Sequence, residues 1–205
     1  MKKFFYPLSV VTLAIFFVLM TNIHSDWIGS LDTNASNLLK GNAFINFFHY
    51  FGETKFIMAV TLLLLLWLWI RDHNYRGLLF ALISIAGGNV LNRILKEWIQ
   101  RPRPIIPHQL SSFSFPSGHA MIGLLYIFTI AYFATEFEAS TKRKLIVWLT
   151  AVILVILIGL SRIAGSRHFA SDVIAGWSVG YTWFILLVIW YERRRRIVKR
   201  HSKEA

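Results

Sequence analysis

The chain has 205 residues, of which 56% are hydrophobic, 16% charged and 16% aromatic. Soluble domains carry about a quarter charged residues, so this balance excludes an ordinary soluble fold, and the length suits one domain rather than two. There is no Cys, which excludes disulfides and thiolate metal sites, and the formal charge of +12 has to be read by position before it is read as affinity for nucleic acid.

Apolar runs at Phe4–Met20, Phe56–Ile70, Gly77–Leu91, His119–Thr135, Leu145–Leu160 and Val173–Tyr191 predict six transmembrane helices. Several reach the roughly 20 residues a bilayer requires only with their flanks. Lys2 and Lys3 ahead of the first run also suit a signal peptide, but Thr21-Asn22-Ile23-His24 is a poor cleavage site, so a retained span is expected. After it, Thr21–Tyr50 carries Leu31, Leu38, Leu39, Phe44, Phe47 and Phe48, the makings of a short helix lying on the membrane surface. Lys96–Pro116 holds Pro102, Pro104 and Pro107, which cannot continue a helix. Glu136–Lys144 and Ser161–Ser171 read as short polar connections. Gly176 and Gly180 in the sixth run allow close helix approach, within the bundle or against a second copy.

The expected fold is therefore all-α: a polytopic bundle of six transmembrane helices with a short interfacial helix. It forms one domain over 1–205, with a basic tail over 192–205. With six spans, fourteen of the 22 Lys and Arg residues fall on the side of the termini. The positive-inside rule puts that side in the cytoplasm. The run Arg193–Arg196 then anchors topology, and no nucleic-acid partner is expected.

Charged groups are costly within a bilayer, so their clustering is informative. Three clusters share the non-cytoplasmic level. Lys96 and Arg103 flank a helix end, with Pro104 next; together they suit an anion of more than one charge, or simply snorkel at the interface. Phe115-Pro116-Ser117-Gly118-His119 opens the fourth run. Ser117 is a good N-cap, Gly118 admits a ligand to the backbone, and a helix N-terminus favours phosphate. His119 is then a candidate proton donor at an anion site, or a structural histidine. In Ser161-Arg162-x5-His168-x3-Asp172, the last two residues share a face if the helix has begun. A carboxylate holding one ring nitrogen leaves the other as an oriented nucleophile; the pair also suits a helix cap. Two His and one Asp can ligate zinc or iron. Lys96, Arg103 and Arg162 would surround that ion with positive charge, so no catalytic metal is expected.

Lys96-x6-Arg103-Pro104, Pro116-Ser117-Gly118-His119 and Ser161-Arg162-x5-His168-x3-Asp172 resemble the three signature motifs of the type 2 phosphatidic acid phosphatase (PAP2) superfamily, in order. The resemblance implies a membrane lipid phosphate phosphatase that works without metal or cofactor. It implies that His168 attacks phosphorus, that Asp172 orients it, and that His119 protonates the leaving group. Lys96, Arg103, Ser117, Gly118 and Arg162 would bind the phosphoryl oxygens. Likeness to the small bacterial members implies phosphatidylglycerophosphate as substrate. Undecaprenyl diphosphate hydrolysis and lipid phosphotransfer are the alternatives. The implied partners are the lipid phosphate and the bilayer. Glu53, Tyr50, Arg93, Gln100, His108 and Arg167 either line the entrance or are ordinary surface residues. Asn89 and Asn92 either support the site or bond neighbouring helices. Oligomeric state is not legible.

Overall fold

The computed structural model describes residues 2–105, 112–136 and 138–204; His108 lies outside them. Among the described residues every regular element is helical. In chain order these are α1 (Lys2–Thr21), α2 (Asp26–Leu39), α3 (Ala43–Phe47), a 3-10 turn (Phe48–Gly52), α4 (Thr54–Asp72), α5 (Tyr75–Leu82), a π-helical turn (Ile83–Gly87), α6 (Gly88–Ile99), α7 (Gly118–Glu136), α8 (Thr141–Ala164) and α9 (Ala170–Glu204).

Five stretches are long and apolar enough to cross a bilayer alone: Thr54–Arg71, Tyr75–Ile99, Gly118–Glu136, Thr141–Ala164 and Ala170–Arg194. The described part of α1, Phe5–Thr21, passes the same test only jointly with α2, from which it bends by 103°. Since α1 packs along α9, it makes the sixth span. The sharp bend lays α2 across the ends of α8 and α9, against which it packs. This is the expected interfacial helix, with its Leu38 outward at 82% exposure and Phe44 of α3 outward at 71%. The chain is thus a multi-pass membrane protein.

Packing follows from where the apolar surface lies. Helix α7 is buried on nearly every side, as a helix that is apolar all round must be, and it contacts α4, α6, α8 and α9. Helix α4 instead turns Met58, Leu63 and Ile70 outward, where acyl chains replace water as solvent. Methyl groups on Gly176 and Gly180 would approach the carbonyls of Ser117 and Met121 to 2.6 and 3.2 Å. The glycine pair therefore serves α9–α7 contact inside the bundle.

Several helices outrun the predicted apolar stretches. The third span reaches Ile99 and the fifth runs from Thr141 to Ala164, carrying Lys96 and Arg162 inside helical ends rather than in loops. The basic tail continues α9 as helix to Glu204. The π-helical turn breaks the third span's α-helical phase, and the Ile83 carbonyl there accepts from Trp183 Nε1 at 3.2 Å.

Candidate active site

Neighbouring spans alternate in direction, so the C-terminal ends of α6 and α8 meet the N-terminal ends of α7 and α9. Lys96 and Arg162 occupy the last turns of α6 and α8. His119 and Asp172 stand in the first turns of α7 and α9. Two helix N-termini and a set of cations thus share one end of the bundle, a combination suited to an anion.

Backbone contacts join these segments. Past Gln100, which turns the chain in the left-handed region (φ 54°), the Arg101 carbonyl accepts from Ser114 N–H at 2.8 Å. The Ser117 N–H donates to the Asp172 carbonyl at 2.9 Å, tying the second motif to the third. Asn92 Nδ2 donates to the Pro116 carbonyl at 3.2 Å, so this side chain supports the second motif. Ser117 caps α7 with its Oγ 3.5 Å from the Ala120 N–H.

His168 precedes α9 instead of sharing its face, because the helix begins at Ala170. Asp172, in the third helical position, accepts from the Phe169 N–H at 2.9 Å, a reach-back bond that fixes the helix start. The contact between His168 and Asp172 therefore crosses the cap: Nδ1 lies 3.5 Å from Oδ2. Ser114 Oγ sits beside both, 3.3 Å from Nδ1 and donating to Oδ2. On the other ring nitrogen, Arg103 Nη1 is 3.1 Å from Nε2. A guanidinium only donates, so Nε2 accepts and the ring proton sits on Nδ1. His168 is 4% exposed. Burial, reinforced by Arg103 and Lys96 against the opposing pull of Asp172, brings its pKa down to about 4. The ring is neutral at pH 7, with Nε2 carrying a lone pair. That is the arrangement of a nitrogen nucleophile.

The cations have distinct settings. Arg103 also donates to the Arg167 carbonyl at 2.8 Å and, through Nε, to the Ser112 carbonyl at 2.7 Å. Lys96 Nζ donates to the carbonyls of Phe113 at 2.5 Å and Ser114 at 3.1 Å. Arg162 is buried, and among the described residues its Nε has no hydrogen-bond partner. The same holds for His119 Nε2, whose nearest acid is Glu53 Oε1 at 3.9 Å. Buried N–H groups are rarely left unbonded; an acceptor-rich group such as a phosphoryl group satisfies both. Gly52 makes room for the His119 ring, since a methyl there would come within 2.4 Å of Cδ2.

Among the described residues no three His, Asp or Glu side chains gather as metal ligands. The crowding of Lys96, Arg103 and Arg162 suits an anion, not a metal cation. Arg93, Asn89 and His119 line a crevice of about 720 Å³ that runs between α4 and the third span to Met58 and Leu62. That volume is ligand-sized. Tyr50 is exposed and tilts against His49, and Gln100 is exposed at the helix end.

Four residues were not assigned a role from the sequence. Arg101 donates to Asp172 Oδ1 at 2.6 Å, to Ser171 Oγ at 2.7 Å and to Asp32 Oδ2 at 2.8 Å. Asp32, on α2, also accepts from Ser171 N–H at 2.8 Å. Ser114 is the fourth. The signal for Arg101 lay in the Arg-Pro-Arg-Pro repeat; Asp32 gave none, being one of two acids in an amphipathic helix.

Known proteins resemble this chain over most of its length. The model of the PAP2 superfamily matches residues 77–196. Phosphatidylglycerophosphatase B of Bacillus subtilis (strain 168) is 32% identical over 197 residues, covering 91% of this chain and 96% of that protein. Lipid A 4′-phosphatase of Francisella tularensis subsp. novicida is 26% identical over 208 residues, covering 88% and 91%. The crystal structure of a transmembrane PAP2-type phosphatidylglycerolphosphate phosphatase from Bacillus subtilis superposes with a TM-score of 0.81 at 30% identity, over 90% of this chain and 96% of that one.

Proposed function

The chain belongs to the PAP2 superfamily and is a membrane lipid phosphatase; on that premise we propose that it converts phosphatidylglycerophosphate to phosphatidylglycerol through a phosphohistidine. The observation that carries the chemistry is the setting of His168, with Nδ1 3.5 Å from Asp172 Oδ2 and Nε2 facing Arg103 at 3.1 Å. The substrate is inferred from likeness to phosphatidylglycerophosphatase B.

In the first step the Nε2 lone pair of His168 forms a bond to phosphorus while the phosphorus–oxygen bond to the glycerol breaks. His119 gives its proton to the departing oxygen, and Asp172 balances the charge that grows on the His168 ring. In the second step water attacks phosphorus, its proton passes to His119, and the nitrogen–phosphorus bond breaks to release phosphate. Lys96, Arg103 and Arg162 hold the equatorial oxygens, with the N-terminus of α7 at Ser117 and Gly118 adding its partial positive charge. Phosphoryl transfer relies mainly on positioning and charge stabilisation, which this set supplies. No metal or cofactor takes part.

Both termini lie in the cytoplasm in this reading, and the site faces the opposite side, where the crevice beside α4 accepts the lipid tails. The absence of native Cys makes this testable: a thiol introduced at exposed Gln100 should react with a membrane-impermeant reagent in intact cells, and one at Ser202 should not. The reverse pattern would invert the topology.

Activity is tested by phosphate release from purified protein in detergent with EDTA. The panel is phosphatidylglycerophosphate, undecaprenyl diphosphate, phosphatidic acid and lipid A, with His168→Ala as control. Fastest turnover of phosphatidylglycerophosphate, lost in the variant, is expected. A faster undecaprenyl diphosphate reaction would reassign the substrate. Phosphoryl transfer to an added alcohol in place of water would reassign the reaction.

A further inference from the structure

We infer that Asp32, on the interfacial helix α2, is a positioning residue for the nucleophile, acting through Arg101 to keep the Asp172 carboxylate available to His168. The inference deepens the proposed function and rests on His168 being the nucleophile. It begins from a buried cluster that joins Asp172 of the third motif to three residues the motifs do not specify. Asp32, Arg101, Ser171 and Asp172 are all 9% exposed or less. One guanidinium serves two carboxylates: Nη1 reaches Asp172 Oδ1 at 2.6 Å and Nη2 reaches Asp32 Oδ2 at 2.8 Å. Ser171 closes the ring, its Oγ donating to Asp32 Oδ2 at 2.9 Å and its N–H to Asp32 Oδ1 at 2.8 Å. The guanidinium is stacked 4.2 Å above the Phe169 ring, so its orientation is fixed from a third direction.

Charge explains why two acids are present. Arg101 with Asp172 alone is a neutral pair, and a carboxylate fully engaged by a guanidinium is a poor acceptor for an imidazole N–H. With Asp32 the cluster carries one net negative charge beside His168. When Nε2 bonds to phosphorus the ring becomes cationic, and that surplus negative charge is what stabilises it. Buried charges act strongly because little water screens them. Asp32 is held 69 residues from Arg101 in sequence, on the interfacial helix that packs against the ends of α8 and α9. The surface helix is thereby part of the catalytic apparatus and not only an anchor.

The test uses the full chain in detergent with a water-soluble phosphate ester and with lipid substrate. Asp32→Asn keeps the shape and removes the charge. It should lower kcat by about 10–100-fold, the loss that removing a ligand's hydrogen-bonded outer partner causes at metal sites, with KM within about twofold. Rapid acid-free quench should show slower build-up of the phosphohistidine. The decisive arm is Asp32→Asn combined with Arg101→Met. Removing the cation returns the surplus charge to Asp172, so the double variant should be faster than Asp32→Asn alone. A purely structural ion pair predicts the opposite, a double variant no faster than the single. Unchanged kcat in Asp32→Asn, or loss in KM alone, would overturn the inference. If Asp32→Asn does not accumulate as folded protein, Ser171→Ala loosens the same ring; a several-fold fall in kcat at constant KM supports the role and an unchanged kcat removes it. If the parent protein forms no phosphohistidine, the nucleophile assignment itself fails, an outcome distinct from a normal phosphohistidine in both parent and Asp32→Asn.

Discussion

The two halves of the site are built differently. Around His168 nearly every polar atom is engaged: Asp172 accepts from Arg101, Ser114 and the Phe169 N–H, and the imidazole lies between that carboxylate and Arg103. Around His119 the reverse holds: its Nε2 and the Nε of Arg162 are buried and unbonded among the described residues, and Glu53 stands off at 3.9 Å. The saturated half fixes one tautomer of one ring before substrate arrives. The open half has donors waiting, so its geometry is completed by the phosphoryl group. In the proposed mechanism, preorganisation is concentrated where the covalent bond forms, and adaptability where different leaving groups depart.

If that contrast is right, the largest loss belongs to the saturated half. His168→Ala should abolish phosphate release, by about 10⁴-fold or more in kcat, as removal of a nucleophile does elsewhere. Asp172→Asn should cost nearly as much, since the wrong tautomer of a nucleophile's partner has cost about 10⁴-fold in a comparable triad. The check is steady-state kcat on one phosphomonoester.

The open half should be graded instead. His119→Ala should cost about 10²–10⁴-fold on an alcohol-leaving substrate and clearly less on a diphosphate, whose phosphate leaving group needs less protonation. Parallel assays on phosphatidylglycerophosphate and undecaprenyl diphosphate test this; equal losses would remove the proton-donor role and with it the contrast.

A subtler test concerns protonation. Burial holds His168 down to about 4, below the ordinary 6.5, so the folded state resists protonating it. The sign follows: this group's contribution to stability is present above about pH 6.5 and is lost as pH falls through about 4. Nitrogen NMR of labelled histidine should find one ring neutral at pH 6 that His168→Gln removes. A midpoint near 6.5 would mean the saturated half is wetter than its contacts imply. Smallest of all, Glu53→Gln should change kcat only a few-fold, because Glu53 is half-exposed and beyond hydrogen-bond distance of His119.

The architecture was legible because bilayer physics is legible: long uncharged runs mean spans, and all six were found. Their ends were not. An apolar run stops counting at the first cation, yet Lys96 and Arg162 stay helical because the site itself receives their charges. Convergence of the motifs followed from counting spans. The His168–Asp172 spacing suggested a shared helix face, whereas the cap at Phe169 brings them together by another route. Least legible was Asp32, since a pairing 69 residues away leaves no local pattern, and acids on amphipathic segments usually face water.

The π-helical turn at Ile83–Gly87 sits well away from the chemistry, yet it sets the angular phase of everything after it. Each residue turns an α-helix by about 100°, and a π turn accommodates one more residue than an α turn. Tightening it to uniform α pitch with no residue removed would swing Asn92 and Lys96 about a quarter-turn around its axis, whereas deleting one residue there would leave them close to their present direction. The third span is thus a clockwork part whose one wide tooth determines which side chains come round to the phosphate.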